Sequence, residues 1–256
     1  KAAADIARKT NAEIILLHII ELPQEAMDAI KPGYEIPEII FFKQFAEQKL
    51  TEASLSADLQ GLTVSQVLRL GRTLNHVTEI AESNDVDIII MGSHGASGYK
   101  EMFIGSNAEK VVRNSEIPVL VIKNNASELK YEKVIFATDF LVENKDALAK
   151  AISILKTFNI KPHFLMVNTL NNFKPTHVAE DIAKKFFQEY NITDYDFTIY
   201  NDLDIEKGIM NFSEKIDADL ISMGTHGRKG FSRFLNGSIS EDIVNHSKKS
   251  ILTFKI

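Results

Sequence analysis

Cysteine is absent from this 256-residue chain. That excludes disulfides, a thiolate metal centre and a cysteine nucleophile, and it fits a reducing cytoplasm. No apolar run approaches the length that crosses a bilayer, and no signal peptide is visible. An excess of positive charge is missing too. The 29 Lys and Arg against 35 Asp and Glu give a net charge of −6, the wrong sign for a general nucleic-acid binder. Several catalytic motifs do not occur: G-x-x-x-x-G-K-[ST] of the P-loop ATPases, G-x-S-x-G of the hydrolase elbow, and H-E-x-x-H of the zinc proteases. What remains is an ordinary globular composition, 45% hydrophobic and 25% charged, long enough for two domains.

One glycine loop is present twice. Gly92, Gly95, Gly105 and Ser106 follow the spacing G-x2-G-x9-G-S, and Gly224, Gly227, Gly237 and Ser238 repeat it. At average residue usage such a pattern arises in roughly one per cent of chains this long. Two copies, each after an apolar run, make the chain two copies of one unit. Asp-Ile-Ile-Ile-Met at residues 87–91 reads as a buried strand. Gly92 then stands at its carboxyl end, where open α/β sheets bind ligands. A glycine there lets the backbone approach a ligand closely. Gly105 and Ser106 open a helix over residues 107–114, whose unpaired N–H groups and dipole favour an anion. Turn glycines and an N-cap serine explain a single copy equally well. The repeat favours a phosphate.

Helical and strand-like stretches alternate along the chain. The pattern predicts a helix ending at Thr10, a strand over 14–20, a turn-rich patch with Pro23, Pro32, Gly33 and Pro37, and a long helix over 38–58. A strand over 62–70, a helix over 73–84, the loop unit and a strand over 119–123 complete the first copy. Residues 124–130 read as a linker. The second copy opens with a strand over 133–138 that the first lacks, followed by a helix over 143–158. Strands over 163–168, 195–200, 219–223 and 250–256 then alternate with helices over 176–190, 204–216 and 238–246. Residues 14–20 align with 162–168 at an offset of 148, and the glycine loops align at 132. The domains are thus 1–124, with its opening strand missing, and 131–256. A sheet without its central strand folds poorly, so the chain reads as incomplete at its start. Asn201 is set against Gly71. The fold class is α/β, with two Rossmann-like domains of parallel strands joined by right-handed crossovers.

These residues resemble the universal stress protein family. The loop signature after Ile-Ile-Met carries the resemblance, together with Leu-Leu-His-Ile-Ile at 16–20, Ala-Thr-Asp-Phe at 137–140 and Ile-Pro-Val-Leu-Val-Ile-Lys at 117–123. It implies a tandem member of the ATP-binding branch, with adenine nucleotide α-hydrolase-like domains. It also implies roles. Asp139, with Ala137 and Thr138 before it, contacts the nucleoside. The backbone of Val167, and of Ile19 in the first copy, meets adenine. Met223, Gly224 and Gly227 pass under the ribose and phosphates, while Gly237, Ser238, Ile239 and Ser240 hold the phosphates. Met91, Gly92, Gly95, Gly105 and Ser106 match in the first copy, where Asn107 and Ala108 replace Ile239 and Ser240. The ligand implied is ATP, with Mg²⁺ on its phosphate oxygens. The last strands, 119–123 and 251–256, are expected to pair as an intramolecular pseudo-dimer; a homodimer stays open.

His94 and His226 read as loop histidines and His18 as a buried, satisfied one, ahead of ligand roles. No general base, aimed lysine or acidic metal pair marks phosphoryl transfer, so ATP hydrolysis is expected to be very slow or absent. The function that follows is regulatory ATP binding in a stress response. The alternatives are an adenylating or slow ATPase enzyme and a non-binding scaffold. Arg228, Lys229 and Arg233 in the second loop, against Lys100 and Glu101 in the first, predict a tighter and more salt-sensitive second site.

Overall fold

Among the described residues every strand pair but one runs parallel, as the alternation of strands with crossover helices requires. The structure, a computed structural model, describes residues 1–22, 37–93, 105–123, 132–141, 145–157, 160–225 and 239–255. The chain divides into two units, Lys1–Asp85 and Val86–Ile256.

The first unit holds α1 (Ala2–Thr10), β1 (Ile14–Ile20), α2 (Pro37–Ser54), β2 (Val64–Leu70) and α3 (Thr73–Ser83). Asn11 closes α1 in the left-handed conformation, its N–H donating to Ala7 O, a role asparagine tolerates. β1 and β2 form a two-stranded parallel sheet. Ala4, Ala7, Ile14 and Leu59 make a small core beside it. The predicted helix over 38–58 is broken. α2 stops at Ser54 and a short 3₁₀ turn, Ala57–Leu59, follows. The hydroxyls of Thr51 and Ser54 bond back to Glu47 O and Thr51 O, both at 2.9 Å, competing with the helix ladder. His18 is exposed, not buried. Among the described residues β1 has a single strand neighbour, whereas β6, its counterpart below, has two.

The second unit carries β3 (Ile89–Gly92), α4 (Ser106–Asn114), β4 (Val119–Ile122), β5 (Val134–Ala137), α5 (Lys145–Thr157), β6 (Pro162–Asn168), α6 (Thr176–Glu189), β7 (Asp196–Asn201), α7 (Ile205–Lys215), β8 (Leu220–Thr225), α8 (Ile239–His246) and β9 (Ser250–Lys255). Its seven strands lie in the order β3-β4-β9-β8-β5-β6-β7. β5 runs down the middle of the second copy, between β8 and β6, and its four residues are buried. Full burial of Phe136 alone contributes about 2–3 kcal/mol. β3 begins at Ile89, two residues later than expected, and Gly92 is its last residue.

The single antiparallel pair among the described residues is β4 with β9. Leu120 pairs with Leu252, its own repeat equivalent at offset 132, and Val119↔Thr253 mirrors Val121↔Ile251. Local bonds repeat about the same centre. Ser115 Oγ donates to Ile117 O at 2.7 Å, and Ser247 Oγ to Lys249 O at 3.2 Å.

Candidate functional site

The order β9-β8-β5-β6-β7 contains a reversal. From β5 the chain moves outward through β6 and β7, then crosses back to lay β8 on the other side of β5. In open α/β sheets ligands bind at the carboxyl ends of the strands flanking such a reversal. Here those ends are Ala137-Thr138-Asp139 on β5 and Met223-Gly224 on β8. Ala137 pairs with Met223 on one side and with Leu165 on the other. Thr138 N–H extends that ladder to Leu165 O at 3.0 Å, and Val167 stands two residues further along β6. The fold therefore brings Ala137, Thr138, Asp139, Val167, Met223 and Gly224 to one sheet edge. Ala137, Val167 and Met223 are buried; Thr138, Asp139 and Gly224 are half-buried.

The turn that leaves β5 is held by its own side chains. Phe140 N–H donates to Thr138 Oγ1 and Leu141 N–H to Asp139 Oδ1, both at 2.9 Å. Between them Phe140 takes φ 64, a left-handed conformation in a bulky residue. That costs about 1–2 kcal/mol. Its ring is buried against Phe164, Phe186, Phe187 and Phe197. Aromatic pairs contribute about 0.5–1.5 kcal/mol each, enough to offset the strain. Asp139 Oδ1 is occupied by this turn; Oδ2 has no partner among the described residues. A carboxylate oxygen left open at the strand reversal suits a ribose hydroxyl.

Two further residues shape this edge and are not marked by any motif. A Cβ on Gly208, in the first turns of α7, would lie 2.4 Å from Val167 Cγ1 and 3.0 Å from Val167 Cγ2. α7 thus sits against the strand residue that the resemblance aligns with adenine contact. Its N-cap is Asp204, whose Oδ1 accepts the Lys207 N–H at 2.8 Å; that bond is the main cause holding the carboxyl below the usual range. Asn168 ends β6, and its buried carboxamide closes the following loop by donating to Lys174 O and accepting from Lys174 N–H. Asn201 is not the counterpart of Gly71. Gly71 N–H donates to Ile20 O and Asp202 N–H to Asn168 O, both at 3.0 Å, so Asp202 holds that place.

In the first copy, Ser93 follows β3. It is buried, its N–H bonds to Ile122 O, and its carbonyl accepts the Gly105 N–H at 2.7 Å. This bond ties both ends of the loop together and sets the start of α4 at the carboxyl end of β3. Gly105 is the N-cap at φ −60, an ordinary conformation, and Ser106 is the exposed first helical residue. Met91, Gly92, Gly105 and Ser106 share the second unit. Ile19 belongs to the first.

Gly95, Gly227, Gly237, Ser238, His94 and His226 lie outside the described residues, as do Lys100, Glu101, Arg228, Lys229 and Arg233. Ile239 and Ser240 open α8. One more matched pair is legible in sequence: Gly98 and Gly230 share the offset of 132, putting eight of the 12 glycines in the two loops. Among the described residues no cluster of three His, Asp or Glu side chains could hold a metal ion, and no helix is long and apolar enough to cross a membrane.

The family model described as the universal stress protein family matches residues 1–123 and 198–255. The second segment takes in β8, α8 and β9 but neither β5 nor β6. The chain is similar to two universal stress proteins of Methanocaldococcus jannaschii. One is 29% identical over 129 residues, 50% of this chain and 75% of that protein. The other is 34% identical over 128 residues, 45% of this chain and 79% of that protein. The crystal structure of a universal stress protein from Archaeoglobus fulgidus has the same fold, with a TM-score of 0.74 at 23% identity, over 98% of this chain and 91% of that one.

Proposed function

The chain belongs to the universal stress protein family, and on that premise we propose that it is a regulatory ATP-binding protein of the cytoplasmic stress response. The observation that carries this reading is the strand reversal at β5 and β8, with the open Asp139 Oδ2 and the Met223-Gly224 strand end beside it. Asp139 would accept from the ribose, the Val167 backbone would face adenine, and Gly224 and Gly227 would let the chain pass close under the nucleotide. Gly237, Ser238 and Ser240 would hold phosphate oxygens at the start of α8, with Ala137, Thr138 and Ile239 beside them. Mg²⁺ would ride on the phosphates and need few protein ligands. Residues 1–124 and 131–256 act in this reading as two domains, and β4–β9 as the contact of an intramolecular pseudo-dimer. The first-copy loop, Gly92, Gly95, Gly105 and Ser106, is the weaker site.

Calorimetric titration of the full chain with ATP and Mg²⁺ tests the reading. Gly237→Val should abolish binding at the second site while the thermal melt stays intact. Removing one charge-assisted N–H hydrogen bond to phosphate costs about 1.5–3 kcal/mol. Unchanged affinity in that variant overturns the assignment.

A further inference from the structure

We propose that Phe140 is a positioning residue for Asp139: its buried ring anchors the left-handed turn that keeps Oδ1 on the Leu141 N–H and leaves Oδ2 for a nucleoside hydroxyl. The inference rests on the nucleotide reading of Asp139. Three observations carry it. Phe140 has φ 64, which a bulky residue adopts only when its surroundings impose it. Those surroundings are visible. The ring centroid lies 5.0 Å from Phe186, 5.5 Å from Phe187, 5.5 Å from Phe197 and 6.3 Å from Phe164, so β6, α6 and β7 all grip it. Third, the Phe140 and Leu141 N–H groups are the donors that bind Thr138 Oγ1 and Asp139 Oδ1. A return of Phe140 to a negative φ would rotate the Leu141 N–H away from Asp139 Oδ1. The carboxylate would then lose its anchor. The buried ring forbids that rotation, because it cannot swing without leaving the aromatic cluster. The apolar core of the second copy and the orientation of a half-exposed acid are thereby linked through one residue.

Adenosine and inorganic tripolyphosphate, titrated separately into the full chain, read the nucleoside and phosphate ends independently. Asp139→Ala is the reference and should weaken adenosine about tenfold, the loss of one charge-assisted hydrogen bond. Phe140→Leu keeps an apolar side chain but loosens the grip, and should weaken adenosine fivefold or more while tripolyphosphate stays within about twofold. Phe186→Leu loosens the same cluster from α6 while leaving the residues of the turn itself unchanged. It should act in the same direction, and it carries the test if Phe140→Leu does not fold. Adenosine affinity unchanged in both phenylalanine variants, with Asp139→Ala impaired, overturns the positioning role and leaves the nucleotide reading standing. Equal loss of both ligands also overturns it, since a general structural defect does that. An Asp139→Ala variant with normal adenosine affinity overturns the reading of Asp139 and this inference together.

Discussion

Gly208→Ala tests whether the close approach of α7 to Val167 governs this end of the site. In a free helix, alanine in place of glycine stabilises by about 1 kcal/mol. Here the new Cβ would meet Val167 Cγ1 at 2.4 Å, Val167 Cγ2 at 3.0 Å and Asp202 Cβ at 3.3 Å. Ordinary carbon contacts begin near 3.5 Å, so Val167 must yield by roughly 1 Å. Overpacking of that kind costs about 1–3 kcal/mol. The net expectation is a destabilisation of up to about 2 kcal/mol, where propensity alone predicts a gain. Val167→Ala removes both clashing carbons. It costs on the order of 2 kcal/mol by itself, yet the double variant should be more stable than the sum of the two singles predicts, with a coupling of about 1–2 kcal/mol. Gly61→Ala is the control. Gly61 has φ 79 and nothing within 4 Å of a new Cβ, so backbone strain of about 1 kcal/mol should appear without coupling to Val167. Urea unfolding of the wild type and the three variants of the Gly208–Val167 cycle supplies the numbers, and adenosine titration shows whether Val167 has moved. A stabilised Gly208→Ala protein with zero coupling refutes the reasoning.

The two glycine loops should differ. In separate ATP titrations, the protein carrying Gly105→Val should keep the tighter and more salt-sensitive site, because Arg228, Lys229 and Arg233 lie within the other loop; equal residual affinities contradict this. Ser222 is fully buried in β8 and its hydroxyl has no partner among the described residues. Ser222→Ala should therefore raise stability by about 1 kcal/mol and the melting temperature by about 2–4 °C, and a lowered melt would show that the hydroxyl is paired in solution. Burial pushes the His163 imidazole below its ordinary value of 6.5, with Lys161 adding to the effect and Asp196 opposing it. The unfolded chain takes up that proton first, so the stability linked to His163 is present above about pH 6.5 and is lost as pH falls through the folded value. Urea midpoints of His163→Gln should fall less than those of the wild type across that window, and parallel profiles would exclude the linkage.

Most of the architecture was legible because local and long-range signals agree. β1 matches the expected strand residue for residue, and the two last strands pair as expected, with residues at the repeat offset of 132, Leu120 and Leu252, at their centre. Charge around that centre is not symmetric. Lys255 pairs with Glu116, whose repeat equivalent is Lys248. Lys123, the equivalent of Lys255, lies at the end where Lys248 replaces the acid. It is buried and donates to Val244 O instead, and burial lowers its pKa. A repeat alignment carries backbone pairing from one copy to the other, but not the partners that diverging side chains choose.

The candidate site stood out in sequence where glycines recur at fixed spacing and where an acid follows an apolar strand. Glycines at matched offsets announce a close approach, and Asp139 after an apolar strand announces an acid at a strand end. Phe140 and Gly208 carry no such announcement. In sequence, Phe140 is one of 16 phenylalanines and Gly208 a lone glycine in a helical stretch. Their roles arise from packing across β6, α6, β7 and α7, between residues up to 57 positions apart. Helical periodicity even argues against a glycine at 208, since it weakens the helix. That local cost is what points to a tertiary reason. The strained φ of Phe140 likewise contradicts its intrinsic preference, and it stands beside Asp139 at the strand reversal. Where local preference and global fold disagree, the disagreement marks residues held in place by the rest of the molecule. Both such residues border the same sheet edge, and in the nucleotide reading proposed above that edge should respond to mutations that touch neither glycine loop.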